Sequence, residues 1–444
     1  MNPVATQTAV ANPTMPRTSL ADAVYSKVSW RIMPLLIVCY IIAFLDRINI
    51  GYAQLQMKQT LAFSDAVYGL GAGIFFIGYF LFEVPSNLML EKIGVRKTLL
   101  RIMSCWGVVA TAMLFVTTPT MFYVLRFLLG AFEAGFFPGI VLYLTFWYPP
   151  ARRGQMIAIF MTATTVASVI AGPLCGAILK YLDGVNGWHG WQWLFLVQGL
   201  PASVLGIVAY FYLQDKVEDA HWLSTAEKQT LRDHLDRDKG LVEGAAHRSF
   251  WQLLRDPKVY LLSLVYFLLL GATYTMIFWL PTLIKGWGVS DLLLIGIYAA
   301  LPNLVGVFGM VLIGRSSDRH KERRWHFGAC VLIAAVGLGL TTVTQGALVP
   351  SLAALSFAVI GIVSATPLFF TITSEYLSKE AAAGGIALIS SLGNLGAAVS
   401  PAVTGAINAA TGSPVYSMYL VMALYICSGL LLLTAVRAAR HTTT

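Results

Sequence analysis

Apolar residues in this chain gather in long unbroken runs separated by short polar segments, and the runs recur twelve times. A helix crosses the hydrocarbon core of a bilayer with about 20 apolar residues, whereas a spanning strand shows about 10 of alternating polarity. The runs have the first length and lack the alternation. They predict spanning helices at roughly 31–53, 67–90, 98–117, 120–146, 155–181, 192–213, 258–284, 291–313, 326–346, 349–375, 382–409 and 415–436. Residues 1–30, rich in Ala, Thr and Pro without an apolar stretch before a cleavage site, read as a disordered tail rather than a signal peptide.

One long polar segment, 215–256, separates six runs from six. The pattern therefore predicts a first bundle over 31–214, a linker over 215–256, a second bundle over 257–437 and a short tail over 438–444. Within the linker, Ser224 and Glu227 have capping-box spacing ahead of a charged stretch reaching Lys239, which predicts a short amphipathic helix.

Composition agrees with a bilayer setting: 57% of the 444 residues are hydrophobic and 11% charged, against about a quarter charged in soluble domains. The chain reads as an all-α integral membrane protein. Positive charge is retained on the cytoplasmic side of bacterial membranes, and an inside N-terminus places 25 of the 30 Lys and Arg there. Lys58, Lys180 and Lys285 then fall outside, and Arg47 and Arg126 within the membrane. Both termini are thus expected in the cytoplasm. The same bias accounts for a net charge of +9 without a nucleic-acid partner. The five cysteines (Cys39, Cys105, Cys175, Cys330, Cys427) all lie within runs and suggest neither a disulfide framework nor a zinc site.

Markers repeat between the halves at nearly one offset. Gly69 and Gly296 are 227 residues apart, Pro173 and Pro401 are 228 apart, and Pro138 and Pro367 are 229 apart. The loop Asn87-Leu-Met-Leu-Glu91-Lys92-Ile-Gly94-Val-Arg96-Lys97 is matched, again at 227, by Gly314-Arg-Ser-Ser-Asp318-Arg319-His-Lys-Glu-Arg323-Arg324. Two structural repeats follow, hence two pseudo-symmetric six-helix bundles. These loops resemble the signature loops of the major facilitator superfamily, with Asn87 in place of a glycine and Glu91 of an aspartate. The resemblance covers the chain beyond residue 30 and implies a gating or loop-latch role for Glu91, Gly94, Arg96, Gly314, Asp318 and Arg319. It also implies a carrier that works as a monomer.

Three further strings narrow the resemblance: Phe44-Leu-Asp-Arg-Ile-Asn49, Phe82-Glu-Val-Pro-Ser-Asn87 and Arg126-Phe-Leu-Leu-Gly-Ala-Phe-Glu-Ala-Gly-Phe-Phe-Pro-Gly139. Together they are similar to the anion:cation symporter family. Its members include carriers of tartrate, sugar acids, phthalate and hydroxyphenylacetate, and relatives of vesicular glutamate and sialic acid transporters. That resemblance implies uptake of a small organic anion with protons across a bacterial inner membrane, with no cofactor beyond the coupling ion.

Chemistry read from the residues points the same way. An ionisable side chain deep in a membrane helix costs about 2.5–3.5 kcal/mol on insertion scales, so it is kept where it faces a protein interior, a partner or water. At 1.5 Å per residue, Asp46 and Arg47 lie roughly 22 Å from the inner face and Arg126 roughly 10 Å below the outer one, about one level. Glu133 follows two turns deeper on nearly the same face of its helix. The expected arrangement is a carboxylate pair, Asp46 and Glu133, flanked by Arg47 and Arg126. A guanidinium moving toward or away from a buried carboxylate switches its proton occupancy. An anionic substrate competing for Arg47 or Arg126 would thereby load together with a proton. The competing reading is a static pair holding two helices, though such pairs seldom repay their desolvation in stability.

Neutral candidates for the pocket are Tyr79, Thr164, Tyr274, Thr371 and Asn394, each near the middle of a run; Tyr79 and Asn394 also match family pocket positions. Glu83 and Glu375 are expected at gates. His189, in an outer Trp-rich turn, is expected to serve the loop. Phe369 and Phe370 are candidates for stacking on an aromatic acid, against the simpler reading of core packing. The absence of a mid-span Arg or Lys in the second half favours a monocarboxylate, or a dicarboxylate gripped mainly by the first half. No nucleotide loop, metal cluster or nucleophile elbow points to an enzyme. An ion gradient must then supply the driving force, about 2.3 kcal/mol per charge per 100 mV and about 1.4 per pH unit. The main rival is an antiporter, because Ala171-Gly-Pro-Leu-Cys-Gly176 partly resembles a motif of drug exporters.

Overall fold

The computed structural model describes residues 17–239, 255–377 and 382–435, with the side chains of 17–20, 91, 237–239, 382–384 and 435 left aside. The described residues form fifteen α-helices. In the first half these are α1 (Arg17–Ile48), α2 (Ile50–Thr60), α3 (Asp65–Ile93), α4 (Val95–Ala112), α5 (Pro119–Glu133), α6 (Phe136–Thr145), α7 (Pro150–Tyr181) and α8 (Gly190–Tyr212). A linker helix, α9 (Thr225–Lys239), follows. The second half holds α10 (Pro257–Gly286), α11 (Leu292–His320), α12 (Arg324–Val343), α13 (Leu348–Tyr376), α14 (Ala382–Thr411) and α15 (Pro414–Ala435). Twelve segments are long and apolar enough to cross a membrane, at positions close to those the hydrophobic pattern predicts.

Two of the twelve spans are broken. The first consists of α1 and α2, interrupted at Asn49. The fourth consists of α5 and α6, interrupted at Ala134 and Gly135, where Gly135 takes φ +88°. A Cβ at Gly135 would overlap the Ser86 hydroxyl, so both backbone conformation and space require glycine there. The spans expected at 31–53 and 120–146 are present, each built of two helices. The first helix also begins at Arg17, so 17–30 is helical rather than part of a disordered tail; residues 1–16 lie outside the described residues.

In the first half α4 packs on α8, α3 on α5 and α1 on α7; in the second α12 packs on α13 and α15, and α10 on α14 and α15. The halves join where α3 meets α14 and α7 meets α11. Both junctions use glycine for close backbone approach, as membrane helices do in the absence of a hydrophobic driving force. Gly69 lies against Pro401 and Gly405, and Gly296 against Gly172 and Gly176, so tightly that a Cβ on either would collide with backbone. These junctions sit at the end away from α9. There Gln54 donates to the Phe278 carbonyl at 2.7 Å, Tyr68 donates to the same oxygen at 3.3 Å, and Lys180 pairs with Asp291. Some four turns further along α3, the contact from α14 is Ser391 to Glu83 at 3.5 Å.

The linker is attached to the first half. Ser224 and Glu227 form the expected capping box: the Ser224 backbone N–H donates to Glu227 at 2.7 Å and the Glu227 N–H to the Ser224 hydroxyl at 3.3 Å. Lys27 of α1 pairs with Glu227 at 2.9 Å, His234 stacks on Tyr25, and Trp222 stacks on Trp147 at 5.8 Å.

Candidate functional site

The breaks in spans 1 and 4 place the ionisable residues. Asp46 and Arg47 occupy the last turn of α1, and Glu133 is the last residue of α5. Asp46, Arg126 and Glu133 are at most 1% exposed. Arg47 donates to Glu133 in a buried ion pair and, from its other terminal nitrogen, to the Tyr274 hydroxyl of α10 at 3.2 Å. One guanidinium thus bridges a carboxylate of the first half and a phenol of the second. It lies 5.5 Å over the rings of Phe75 and of Tyr79, whose hydroxyl has no protein partner among the described residues.

Arg126 donates its Nε to the Gly71 carbonyl at 3.1 Å and lies over Phe75 at 5.0 Å. Its Nη2 and the Glu133 Oε2 are both buried without a hydrogen-bond partner among the described residues. A buried donor and a buried acceptor of opposite charge, each with unused capacity, are costly to leave empty.

Asp46 departs from the expected arrangement. It pairs with no guanidinium among the described residues. Its Oδ2 accepts from the Trp106 indole at 2.6 Å and its Oδ1 from the Asn49 amide at 3.0 Å. Consecutive residues on a helix point about 100° apart, so when Arg47 faces the centre Asp46 must turn toward α4. Neither Trp106 nor Asn49 stands out in the sequence: one is an aromatic in an apolar run, the other a polar residue next to more conspicuous charges.

The remaining candidates divide. Tyr274 is at the centre. Asn394 is half-buried and makes no hydrogen bond among the described residues, so its amide is free for a ligand. Thr164 donates to the Met161 carbonyl at 2.8 Å and Thr371 to the Pro367 carbonyl at 2.9 Å, each satisfied within its own helix. Phe369 stacks on Tyr266 at 5.0 Å and 9°, and Phe370 sits edge-on to the same ring. Both phenylalanines are core packing. His189 caps α8 with Gln192, a loop role as expected.

The loop residues form contacts other than a simple latch. Arg96 donates its backbone N–H to Asp215 at 2.9 Å and its guanidinium to the Tyr210 carbonyl at 2.8 and 2.6 Å, while Gly94 turns at φ +86° beside Asp215. The side chain of Glu91 lies outside the described residues. In the second loop Arg323 is the hub, reaching Asp318 at 2.6 Å and Glu375 at 3.6 Å. Arg319 is exposed and makes no polar contact among the described residues, and a Cβ at Gly314 would meet nothing.

Comparison with known proteins places this arrangement. The Major Facilitator Superfamily profile matches residues 36–401. The "Putative metabolite transport protein NicT" of Pseudomonas putida is 45% identical over 391 residues, 88% of this chain and 89% of that protein. A "Putative tartrate transporter" of Agrobacterium vitis is 44% identical over 420 residues, 95% of this chain and 96% of its own. The "Quinolone resistance transporter" of Acinetobacter baumannii is 40% identical, covering 88% and 90%. In fold, the chain is similar to the inward-facing, unoccupied crystal structure of a bacterial homologue of the human lysosomal transporter Spinster, with TM-score 0.73, 18% identity and coverage of 94% and 95%. These are membrane transporters, not enzymes, and this chain is a multi-pass integral membrane member of the major facilitator superfamily.

Proposed function

We propose that the protein is a proton-coupled symporter that takes up a small organic carboxylate by alternating access, with Asp46 and Glu133 carrying protons and Arg47 holding substrate. The Arg47 bridge carries this reading. A carboxylate arriving at the centre competes with Glu133 for Arg47, and Glu133, already holding an unpartnered oxygen, then favours a proton. Tyr274 and Tyr79 supply hydroxyl partners around the guanidinium, and Asn394 offers a free amide on α14. The Arg126 Nη2 offers a second charge on the side now closed. A tartrate-like hydroxy acid suits this mixture of guanidinium and hydroxyl groups, and the similarity to a protein named for tartrate supports that class. We place the protein in a bacterial inner membrane with α9 on the cytoplasmic side, so that the closed end faces outward and the conformation is inward-facing.

The test is uptake by proteoliposomes under an inward pH gradient, with tartrate, galactonate, phthalate and 4-hydroxyphenylacetate as labelled substrates. Uphill uptake of one acid, abolished by a protonophore and by Glu133→Gln or Asp46→Asn, is the expected result. Transport only against preloaded counter-substrate, or of quinolones outward, would instead establish the exchanger suggested by the similarity to a resistance transporter.

A further inference from the structure

Asp46 is held by two neutral donors that differ in kind. The Trp106 indole can only donate, and it reaches Oδ2 at 2.6 Å from a fully buried ring braced edge-on by Phe136 at 5.9 Å. The Asn49 amide is both donor and acceptor. Its nitrogen bonds Oδ1 at 3.0 Å, while its own oxygen is buried with no partner among the described residues. The unused oxygen sits on the one side chain able to reverse its role toward Asp46.

We propose that Trp106 and Asn49 are positioning residues forming a two-state cradle, in which Asp46 gains and loses a proton without moving. With Asp46 charged, Trp106 donates to Oδ2 and the Asn49 amide nitrogen to Oδ1. When a proton binds at Oδ1, the Asn49 amide turns about its last torsion so that its oxygen accepts the new O–H, and Trp106 still donates to Oδ2. Each state then keeps two hydrogen bonds to the carboxyl in a water-poor interior, where an unmade bond is costly. The charged groups acting on Asp46 are Arg126 and Glu133 of α5, while Arg47, adjacent in α1, is turned to Glu133. From α4 and α6 the facing groups are Trp106 and Phe136, neither of which titrates. Asn49 also stands between α1 and α2, with a helical backbone that bonds the Leu45 carbonyl at 2.9 Å, so its amide can turn about a fixed main chain. The inference rests on the reading of Asp46 as a proton carrier.

Infrared difference spectroscopy on the full-length protein in lipid nanodiscs follows the protonated carboxyl stretch against pH, and Asp46→Asn identifies the band. Trp106→Phe removes a donor that favours the charged form, so the midpoint is expected to rise by about one pH unit. Asn49→Leu removes a partner of both forms and should move it by less than half as much. If Asp46→Asn removes no titrating band, the proton-carrier reading itself fails. If the band is present, but Trp106→Phe leaves its midpoint in place or Asn49→Leu moves it as far, the cradle alone is refuted. Uptake against pH, measured on the same two variants, should shift in the same order.

Discussion

A guanidinium shared between Glu133 and Tyr274 makes separable predictions at the level of single side chains. Tyr274→Phe deletes one hydrogen bond to a charged donor, worth about 1.5–3 kcal/mol, and should slow uptake by a factor of about 13–160. Glu133→Gln removes the carboxylate that the proposed mechanism sets against substrate. Proton-driven accumulation should vanish while substrate exchange under equal gradients persists; loss of both would instead indicate a structural role. Arg47→Lys replaces a planar fork by a point charge that cannot hold Glu133 and Tyr274 in the same geometry, so exchange itself should fall at least tenfold. The charged residues of this centre were legible in the sequence because charge inside an apolar run is conspicuous. Trp106 and Asn49 were not, since the contact of Trp106 with Asp46 spans 60 residues and is set by packing of α4 on α5 and α6.

Helix breaks, rather than whole helices, are the elements that position chemistry here. Runs 31–53 and 120–146 look continuous because a bilayer selects for apolar residues whether or not the backbone hydrogen bonds persist. Gly135, one of many glycines in the chain, carries no local mark of its left-handed turn. Its replacement by Ala meets both an unfavourable φ and the Ser86 hydroxyl. A loss of about 1–3 kcal/mol is expected, read as a lowered midpoint in thermal unfolding of the detergent-solubilised protein. The linker helix was legible, by contrast, because a capping box is a local signal. The Ser224 backbone N–H, followed by Lys27, holds the Glu227 carboxyl below its ordinary range. Such a depressed acid stabilises docking above the unfolded value of about 4.3 and ceases to as pH falls through the lower folded one. Protection of the α9 amides, measured as exchange relative to the intrinsic rate at each pH, should therefore fall on acidification, and Glu227→Gln should reproduce that loss of protection at neutral pH.

Across the whole molecule, the twelve helices and their two-halved fold could be read from hydrophobic runs and repeated glycines. How the halves are tilted could not, because the two arrangements of a rocking carrier share one sequence and differ by only a few kcal/mol. The glycine junctions make that balance adjustable. Gly172→Leu places a side chain against the Gly296 carbonyl, an overpacking cost of about 1–3 kcal/mol borne only when this end is closed. Spin labels at Tyr181 and Ser290, in a background free of native cysteines, should then report a longer distance; an unchanged distance would mean that the junction yields by local repacking.

Arg47 and Tyr274 are themselves 227 residues apart, the spacing that relates one repeat to the other. The bond between them therefore joins counterpart positions of the two repeats. Were the repeats identical, such a residue would face its own twin. A duplicated ancestor with arginine in both places would have faced two guanidiniums in a dry interior, and one with tyrosine in both would have had no cation to offer an anion. Divergence at this pair is what leaves a symmetric scaffold with one guanidinium and one phenol at its centre.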